Sequence, residues 1–427
     1  MNRSIAGLAL PGSLLAIMVA AGSLTAALPA GDGLGHGQAL GSGSPRDTGQ
    51  VAWAERGNFP GESERAAVTA GEGLAEILVV GAAAGLRDEA GRLGLRVIEH
   101  VQLDGLGMDL YRVAVPGRRD ASLAIAALRA RFPAAGIDTD RVVAPAAGTM
   151  ETGLPPESWA RSVIGWDPAA PDCGRGIRIG MIDAAVDVTH PALASQRVEY
   201  RSFHHPSRRP AEATHGTAIA AMLVGLSSSK GWGGILPGAE LKAANVFEYN
   251  EEGRLVGNAM ALLKAFDWMV SERVHVVNLS MAGQDNEALR YVIEHARERG
   301  LVAVAAAGNW GRAEPAYPAA YDEVIAVTAF DQDGRLYDKA NRGSFIDFAA
   351  PGVEVWTAVP EGGRVQSGTS FAVPYVAAQV AVEVAHGSAT DPDILRELLW
   401  PRVTDMGSPG RDDDFGWGFL ASAPSCS

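Results

Sequence analysis

The sequence predicts an α/β fold with a mainly parallel central sheet, preceded by a smaller α+β unit. Short, mostly apolar runs recur from residue 177 onward, which is typical of strands covered on both faces of a parallel sheet. These runs lie at 177–182, 240–246, 274–279, 302–306 and 324–327. Stretches with helical spacing of apolar residues separate them, at 217–224, 258–271, 286–299 and 370–384. Because strands and helices alternate, we expect helices on both faces of the sheet, in a domain that spans residues 173–427.

The segment 74–146 has a different order of elements. The pattern predicts a strand, a helix, two strands, a helix and a last strand, at 76–80, 86–93, 95–99, 108–115, 121–132 and 141–144. This βαββαβ order is that of a ferredoxin-like unit, and an ordinary α+β module of unknown role is the alternative. Residues 147–172 are rich in Gly and Pro and are interpreted as a linker.

The first 73 residues contain no predicted globular element. A basic Arg3, a long apolar run and the small residues 25–27 are typical of a secretory signal, which we place at 1–30. The apolar run approaches the length of a membrane span, so an uncleaved membrane anchor is the alternative. Residues 31–73 hold few large apolar groups and are expected to be a flexible, low-complexity segment. The signal predicts a secreted or periplasmic protein, with a membrane contact only if the segment stays uncleaved.

Net charge and cysteine count restrict the partners that we expect. The formal net charge of −14 repels phosphate backbones, so no nucleic-acid partner is predicted. The chain has two cysteines, Cys173 and Cys426, which cannot form a four-ligand zinc site by themselves. In an oxidising compartment these two can pair as a disulfide, and two unpaired thiols are the alternative.

Four polar residues stand where predicted elements begin or end. Asp183 follows a buried strand, at the edge of an α/β sheet where catalytic groups gather. His215 precedes an apolar helix, and Asn309 follows another buried strand. Ser370 opens a helix, and Pro374 is expected to lie within the first turn of that helix. Taken alone, each of the four is also explained as a cap, a turn residue or a satisfied polar group.

Together the four residues supply the groups that acyl transfer needs. Ser370 is the predicted nucleophile, His215 the base that takes its proton, and Asp183 the group that orients the imidazole. The backbone N–H of Ser370 and the side-chain amide of Asn309 are predicted to form an oxyanion hole, because helix N-termini and amide groups donate to developing negative charge.

The order Asp, His, Asn, Ser resembles that of the subtilisin-like serine peptidases, the subtilases. The matching runs are Ile182-Asp183 with His190-Pro191, then His215-Gly216-Thr217, Ala307-Gly308-Asn309, and Gly368-Thr369-Ser370-Phe371-Ala372-Val373-Pro374. The resemblance covers about 160 to 420 of this sequence. It implies a subtilisin-like three-layer fold and a serine endopeptidase that acts on protein or peptide substrates.

The resemblance also implies a substrate groove. The run Ser280-Met281-Ala282-Gly283 is expected to pair with the substrate backbone and to form one wall of the pocket for the side chain before the scissile bond. Ala306, Ala307 and Gly308 are expected to form the opposite wall, and these apolar walls predict an uncharged side chain there. No metal or other cofactor is predicted: calcium is possible in such proteins, but Ala192 stands where many members carry an acidic ligand, and no other ligand set is evident.

Many subtilases begin with a prodomain of βαββαβ order, which assists folding and leaves its tail in the active-site cleft. By this resemblance, residues 74–146 are an intramolecular inhibitor and chaperone, the protein is made as a zymogen, and it is cleaved within 145–160. Two other functions are left open. One is a membrane-tethered regulatory protease with a single target, and the other is an inactive scaffold on the same fold.

Overall fold

The structure, a computed structural model, describes residues 75–117, 120–140, 142–145, 150–151, 159–165, 170–228 and 230–421 of the 427-residue chain. The predicted signal segment 1–30, the predicted flexible segment 31–73 and Cys426 lie outside these residues. Within the described ranges, no helix combines the length and the apolar character needed to cross a membrane.

The first described segment folds as a sheet with two helices. Its elements are β1 (Ala75–Gly81), α1 (Leu86–Arg92), β2 (Arg96–Leu103), β3 (Met108–Val115), α2 (Ala121–Arg131) and β4 (Ala135–Thr139). The strands are antiparallel in the order β2-β3-β1-β4, which is the strand order of a ferredoxin-like unit. Ile77 and Val79 of β1 pack with the helices of the unit, whereas Leu78 and Val80 pack with the large domain, because side chains alternate along a strand.

The predicted last strand of this unit is wrong. The fourth position in the sheet belongs to β4, and the run at 141–144 falls mostly in a later strand that joins a different sheet. Gly136 conceals β4 in the sequence, because glycine is depleted in strands. The large domain requires glycine here, since a Cβ at residue 136 would lie 2.6 Å from Cβ of Tyr291.

The remaining elements build the large domain. Its strands are β5 (Val142–Pro145), β6 (Met150–Glu151), β7 (Arg178–Asp183), β8 (Arg197–Ser202), β9 (Arg209–Pro210), β10 (Glu240–Asn245), β11 (Phe247–Tyr249), β12 (Leu255–Asn258), β13 (Val276–Leu279), β14 (Met281–Gly283), β15 (Val302–Ala306), β16 (Val324–Phe330), β17 (Phe348–Pro351), β18 (Val355–Val359), β19 (Gly362–Gln366), β20 (Val403–Thr404) and β21 (Phe419–Leu420). Its helices are α3 (Trp159–Val163), α4 (Thr214–Val224), α5 (Ala259–Ser271), α6 (Glu287–Glu298), α7 (Thr369–Ala385) and α8 (Pro392–Leu399), followed by a 3₁₀ turn (Trp400–Arg402).

A central sheet organises the large domain. In the described part of the chain it has nine strands, in the order β20-β21-β17-β16-β15-β13-β7-β10-β8. Neighbours from β8 to β21 run parallel, and β20 pairs with β21 in the antiparallel sense. Apolar side chains of α4 and α7 pack in one core cluster, and those of α5 and α6 pack in a second. The predicted α/β class with a mainly parallel sheet is therefore confirmed.

Carboxylates of the first unit meet the N-termini of α5 and α6. Asp140 Oδ1 accepts a hydrogen bond of 3.1 Å from the N–H of Met260, in the first turn of α5. Asp138 Oδ2 accepts one of 3.1 Å from the N–H of Glu287, the first residue of α6. Both helix ends carry free N–H groups and the positive end of the macrodipole, which favour an acceptor oxygen at these positions. The unit is thus fixed to the same two helices that support the central sheet.

The Asp140 contact makes stability depend on pH. Burial, partly offset by the Met260 N–H, raises the pKa of Asp140 from its usual 3.8 to about 6. A raised pKa means that the folded chain binds the proton more tightly than the unfolded chain, so the stabilisation is present below pH 3.8 and is lost as pH rises through 6. Each pKa unit is equivalent to about 1.4 kcal/mol, and partial solvation reduces the effect.

We therefore expect Asp140→Asn to raise the free energy of unfolding by about 1–2 kcal/mol at pH 8, because the amide still accepts from Met260 but carries no buried charge. The gain shrinks as pH falls to 4. Denaturant unfolding at both pH values measures it, with both chains carrying Ser370→Ala to remove the predicted nucleophile. Asp88→Asn, on the exposed side of α1, serves as the control. An equal effect of Asp140→Asn at both pH values contradicts the prediction.

Candidate active site

The site lies where the order of strands changes direction. After β7 the chain places β8 and β10 on one side of that strand, and afterwards β13, β15 and β16 on the other. In open α/β sheets the carboxyl ends of the strands at such a point form a crevice for ligands. Asp183 ends β7, Ser280 follows β13, and Asn309 stands three residues after β15. These side chains therefore gather at one edge of the sheet, as the sequence predicts.

Asp183 and His215 form a buried pair. The Nδ1 of His215 lies 2.7 Å from Oδ1 of Asp183, whose side chain is fully buried. Because a carboxylate only accepts, the imidazole proton is assigned to Nδ1, and Nε2 is then the basic nitrogen. This Nε2 is buried and makes no hydrogen bond to any described residue. The pair thus presents a lone pair that can take a proton.

Gly216 allows the helix of His215 to approach β7. His215 lies in the first turn of α4, rather than before the helix as the sequence suggested. A Cβ at residue 216 would collide with the backbone carbonyl oxygens of Ala184 and Ala185, which directly follow Asp183. Glycine removes that obstacle, so the imidazole can reach the carboxylate at the strand end.

Ser370 and Ser280 are joined by two hydrogen bonds. The hydroxyl of Ser280 donates to the backbone oxygen of Ser370 at 3.1 Å, and the hydroxyl of Ser370 donates to the backbone oxygen of Ser280 at 3.3 Å. Asn278 Nδ2 donates in turn to the Ser280 hydroxyl at 2.8 Å. The second residue of α7 is thereby tied to the turn between β13 and β14.

The predicted position of Pro374 is wrong. It lies inside α7, five residues after Thr369, rather than in the first turn. A proline has no N–H, so the backbone oxygen of Ser370, four residues earlier, receives no bond from within the helix at that point. The Ser280 hydroxyl occupies that acceptor instead. Pro374 therefore opens the helix to a partner from the sheet.

Thr369 orients the amide of Asn309. The Oδ1 of Asn309 accepts from the backbone N–H of Thr369 at 3.0 Å and from its hydroxyl at 2.9 Å. The Gly308 N–H donates to the same hydroxyl at 3.2 Å. With its oxygen held twice, the amide of Asn309 turns its NH₂ group away from Thr369. Sequence reasoning missed this role of Thr369, although the residue stands beside Ser370 in the motif.

The predicted substrate strand is paired with a segment of the chain itself. β5 runs antiparallel to β14, with Val143 opposite Gly283, Ala144 opposite Ala282 and Pro145 opposite Met281. The other edge of β5 pairs with β12, where Gly257 stands opposite Val143. β5 is thus an added strand between β14 and β12. Sequence reasoning missed β12 as the second wall of this groove.

Further along the chain, β6 lies near the start of α7. It pairs with β19, with Met150 opposite Gln366, four residues before Ser370. Pro145 is opposite Met281, the neighbour of Ser280. Pro145 and Met150 therefore each pair with a residue that lies close in sequence to Ser280 or to Ser370.

Residues 174–418 match the family model described as the subtilase family. The chain belongs to this family. Minor extracellular protease Epr of Bacillus subtilis is 32% identical over 250 residues, which are 58% of this chain and 38% of that protein. Thermostable alkaline protease of Halalkalibacterium halodurans is 31% identical over 243 residues, 55% of this chain and 64% of that protein. This subtilase therefore spans less than two thirds of these two relatives.

A solved structure extends the likeness in fold. Fervidolysin from Fervidobacterium pennivorans, described as a keratinolytic enzyme related to subtilisin, matches with a TM-score of 0.67 and 20% identity. The match covers 83% of this chain and 62% of that one. At this identity the likeness supports the fold alone.

Some predicted residues of this subtilase lie away from the site or stay untested. Cys173 is buried, but Cys426 lies outside the described residues, so their pairing stays a prediction. His190, part of a family run, is buried: its Nδ1 accepts from the Ala192 N–H at 3.1 Å and its Nε2 lies 3.1 Å from the Gly362 oxygen. It serves the packing of a loop. The described ranges hold no cluster of three or more His, Cys, Asp or Glu side chains suited to a metal ion, and calcium binding stays untested.

Proposed function

We propose that this subtilase is a serine endopeptidase that hydrolyses peptide bonds through an acyl-enzyme on Ser370. The observation that carries the proposal is the Asp183–His215 pair, whose unbonded Nε2 lies at the sheet edge to which Ser370 is also tied. Asp183, His215, Asn309 and Ser370 all carry side chains suited to catalysis, so an inactive structural role for the fold is the weaker candidate.

In the first half-reaction, the Ser370 hydroxyl attacks the carbonyl carbon of the scissile bond while His215 Nε2 takes its proton. Asp183 stays ionised and stabilises the imidazolium through the bond to Nδ1. His215 then gives the proton to the leaving amine, the C–N bond breaks, and the acyl group remains on Ser370. Contacts between nucleophile and base often tighten only when substrate is bound, which fits the unbonded Nε2.

In the second half-reaction, water attacks the acyl carbon while His215 takes its proton; His215 then returns a proton to the Ser370 oxygen as the acyl C–O bond breaks, and the carboxylate product leaves. Both steps place negative charge on the former carbonyl oxygen. The NH₂ group of Asn309 and the N–H of Ser370, near the N-terminus of α7, are the proposed donors to that oxygen. Thr369 acts through Asn309 and is a positioning residue.

We infer further that the protein is made as a zymogen, with residues 74–146 as a prodomain that blocks the groove. β5 supports this proposal because it pairs with β14 as a substrate strand would. Within the expected range 145–160 we propose cleavage between residues 145 and 150, and the pairing of Pro145 with Met281 and of Met150 with Gln366 supports this choice. The predicted signal segment, and the extracellular relative Epr, support secretion of the enzyme.

Ser370→Ala should abolish hydrolysis of casein and leave the chain uncut, because it removes the hydroxyl proposed to form the acyl-enzyme. N-terminal sequencing of the wild type should give a mature chain that begins between residues 146 and 150. Ser388→Ala, beyond the far end of α7, is the matched control and should be cut like the wild type. A Ser370→Ala chain that still matures by itself refutes the assignment.

Thr369→Val should lower kcat about tenfold and change KM less, because the hydroxyl loses both its bond to Asn309 Oδ1 and the bond that it accepts from the Gly308 N–H, while the side chain keeps its shape. The backbone N–H of residue 369 still holds Oδ1, so the loss is smaller than the roughly hundred- to thousandfold loss typical of removing an oxyanion donor. Thr369→Ser keeps the hydroxyl and should stay near wild type. Steady-state measurement of kcat and KM with one peptide substrate tests this prediction. An equal loss of kcat in Thr369→Val and Thr369→Ser contradicts the positioning role.

A further inference from the structure

The two faces of β14 differ in the space that they offer to a substrate. Gly283 faces Val143, since a Cβ at residue 283 would lie 2.8 Å from Cγ1 of that valine. Gly257 approaches the same valine from β12, with a corresponding distance of 2.8 Å to Cγ2. Two glycines thus make room for one aliphatic side chain on this face. Because side chains alternate along a strand, Ala282 points to the opposite face.

The side chain before the scissile bond belongs to the Ala282 face. In the register of β5, a substrate residue opposite Ala282 is followed by one opposite Met281 and then by one opposite Ser280. Ser280 contacts Ser370, so the residue opposite Ser280 precedes the bond that is attacked. Residues two positions apart share a face. We call the space that receives this side chain, between Ser280–Gly283 and Ala306–Gly308, the primary pocket.

Methyl groups nearly close the primary pocket. Gly308 has a φ of 95°, and a Cβ at this residue would lie 3.4 Å from Cβ of Ala282 and 3.3 Å from Cβ of Ala316. The amide nitrogen of Asn341 would lie 2.9 Å from the same point. Carbon atoms in contact stand about 3.5–4.0 Å apart. A Cβ on Gly308 would therefore already touch the methyl groups of Ala282 and Ala316 and overlap the Asn341 amide, so little free space separates the walls at this level.

Hydrogen bonds hold both walls in place. Gly283 and Tyr317 exchange two backbone bonds, of 2.7 and 3.1 Å, beside Ala282 and Ala316. On the other wall, the Gly308 oxygen accepts from the Asn341 N–H at 2.9 Å. An aromatic ring needs about 3.5 Å on each face, or about 7 Å between walls. These backbone bonds fix the position of each wall segment, so the narrow spacing is set by the backbone rather than by a side-chain conformation.

We propose that this subtilase cleaves after small residues, namely Gly, Ala and Ser, and that the methyl groups of Ala282 and Ala316 set this limit. The inference rests on the proposed peptidase function and narrows the uncharged preference expected from the sequence. The chain's own sequence agrees with it. Between Pro145 and Thr149, where maturation is proposed, the residues are Ala146, Ala147 and Gly148.

The test compares two chromogenic peptides, Ala-Ala-Pro-Ala-p-nitroanilide and Ala-Ala-Pro-Phe-p-nitroanilide, with the matured enzyme. We expect kcat/KM to be at least about tenfold higher for the alanine peptide, since steric exclusion of a ring exceeds the effect of a methylene group. Ala282→Gly and Ala316→Gly should each shift the ratio toward phenylalanine by about tenfold, and the double variant by more. Ala243→Gly, in the buried strand β10 away from the site, should leave the ratio unchanged.

Two outcomes overturn the proposal: a wild-type enzyme that prefers phenylalanine, or glycine variants that leave the ratio unchanged. The wild-type ratio of kcat/KM for the two peptides tests the proposal even if a variant folds poorly. Titration with diisopropyl fluorophosphate corrects the rate of each variant for its fraction of active sites. Casein hydrolysis separates the two levels of the account. Casein cleaved together with a phenylalanine preference refutes only the narrow pocket, whereas no hydrolysis of casein or either peptide refutes the proposed peptidase function and this inference with it.

Discussion

The reciprocal hydrogen bonds between Ser280 and Ser370 are the constraint on which the rest of the site depends. They join the strand that receives the substrate to the helix that carries the proposed nucleophile, so neither can shift without the other. Pro374 makes this possible because it has no N–H. The backbone oxygen of Ser370 therefore accepts no hydrogen bond from residue 374 and is left for the Ser280 hydroxyl. Once α7 is anchored in this way, Thr369 holds the amide of Asn309, the proposed oxyanion donor, through its backbone N–H and its hydroxyl. One set of contacts thus positions the proposed nucleophile, the proposed oxyanion donors and the predicted substrate strand.

The groove and the attachment of the N-terminal unit share the same elements. β12 is the second wall of the groove, and α5 follows it without a loop, with Asn258 as the helix cap. Asp140 bonds to the first turn of α5, while Val142, two residues later, pairs with Asn258. Docking of the unit and occupation of the groove are therefore one continuous contact. Undocking of the unit should therefore weaken the hold of β5 on the groove, which gives the proposed prodomain a physical route from inhibition to release.

Much of the fold could be predicted from sequence, because buried parallel strands and apolar helices leave clear periodic patterns. The helices at 258–271 and 286–299 were placed within one residue of their ends, and the leading asparagines are N-caps, with Oδ1 of Asn258 accepting from Ala261 and Oδ1 of Asn286 from Leu289. The predictions are wrong where contacts with residues distant in sequence determine the local structure. Gly136 stands in a strand because Tyr291 occupies the adjacent space, and Pro374 is accepted inside a helix because Ser280 replaces the missing bond. Likewise, Ala316 lies in a loop, and no local sequence pattern shows that its side chain approaches the same point beside Gly308 as that of Ala282.

The most direct test of the central claim is to trap the acyl-enzyme. The matured protein is mixed with p-nitrophenyl acetate, quenched with acid during the initial burst of p-nitrophenol, and digested for tandem mass spectrometry. The account predicts one acetyl group per chain, on the hydroxyl of Ser370, and none on the His215→Ala protein. An acetyl group on another side chain, or steady peptide hydrolysis with Ser370 unmodified, would contradict it.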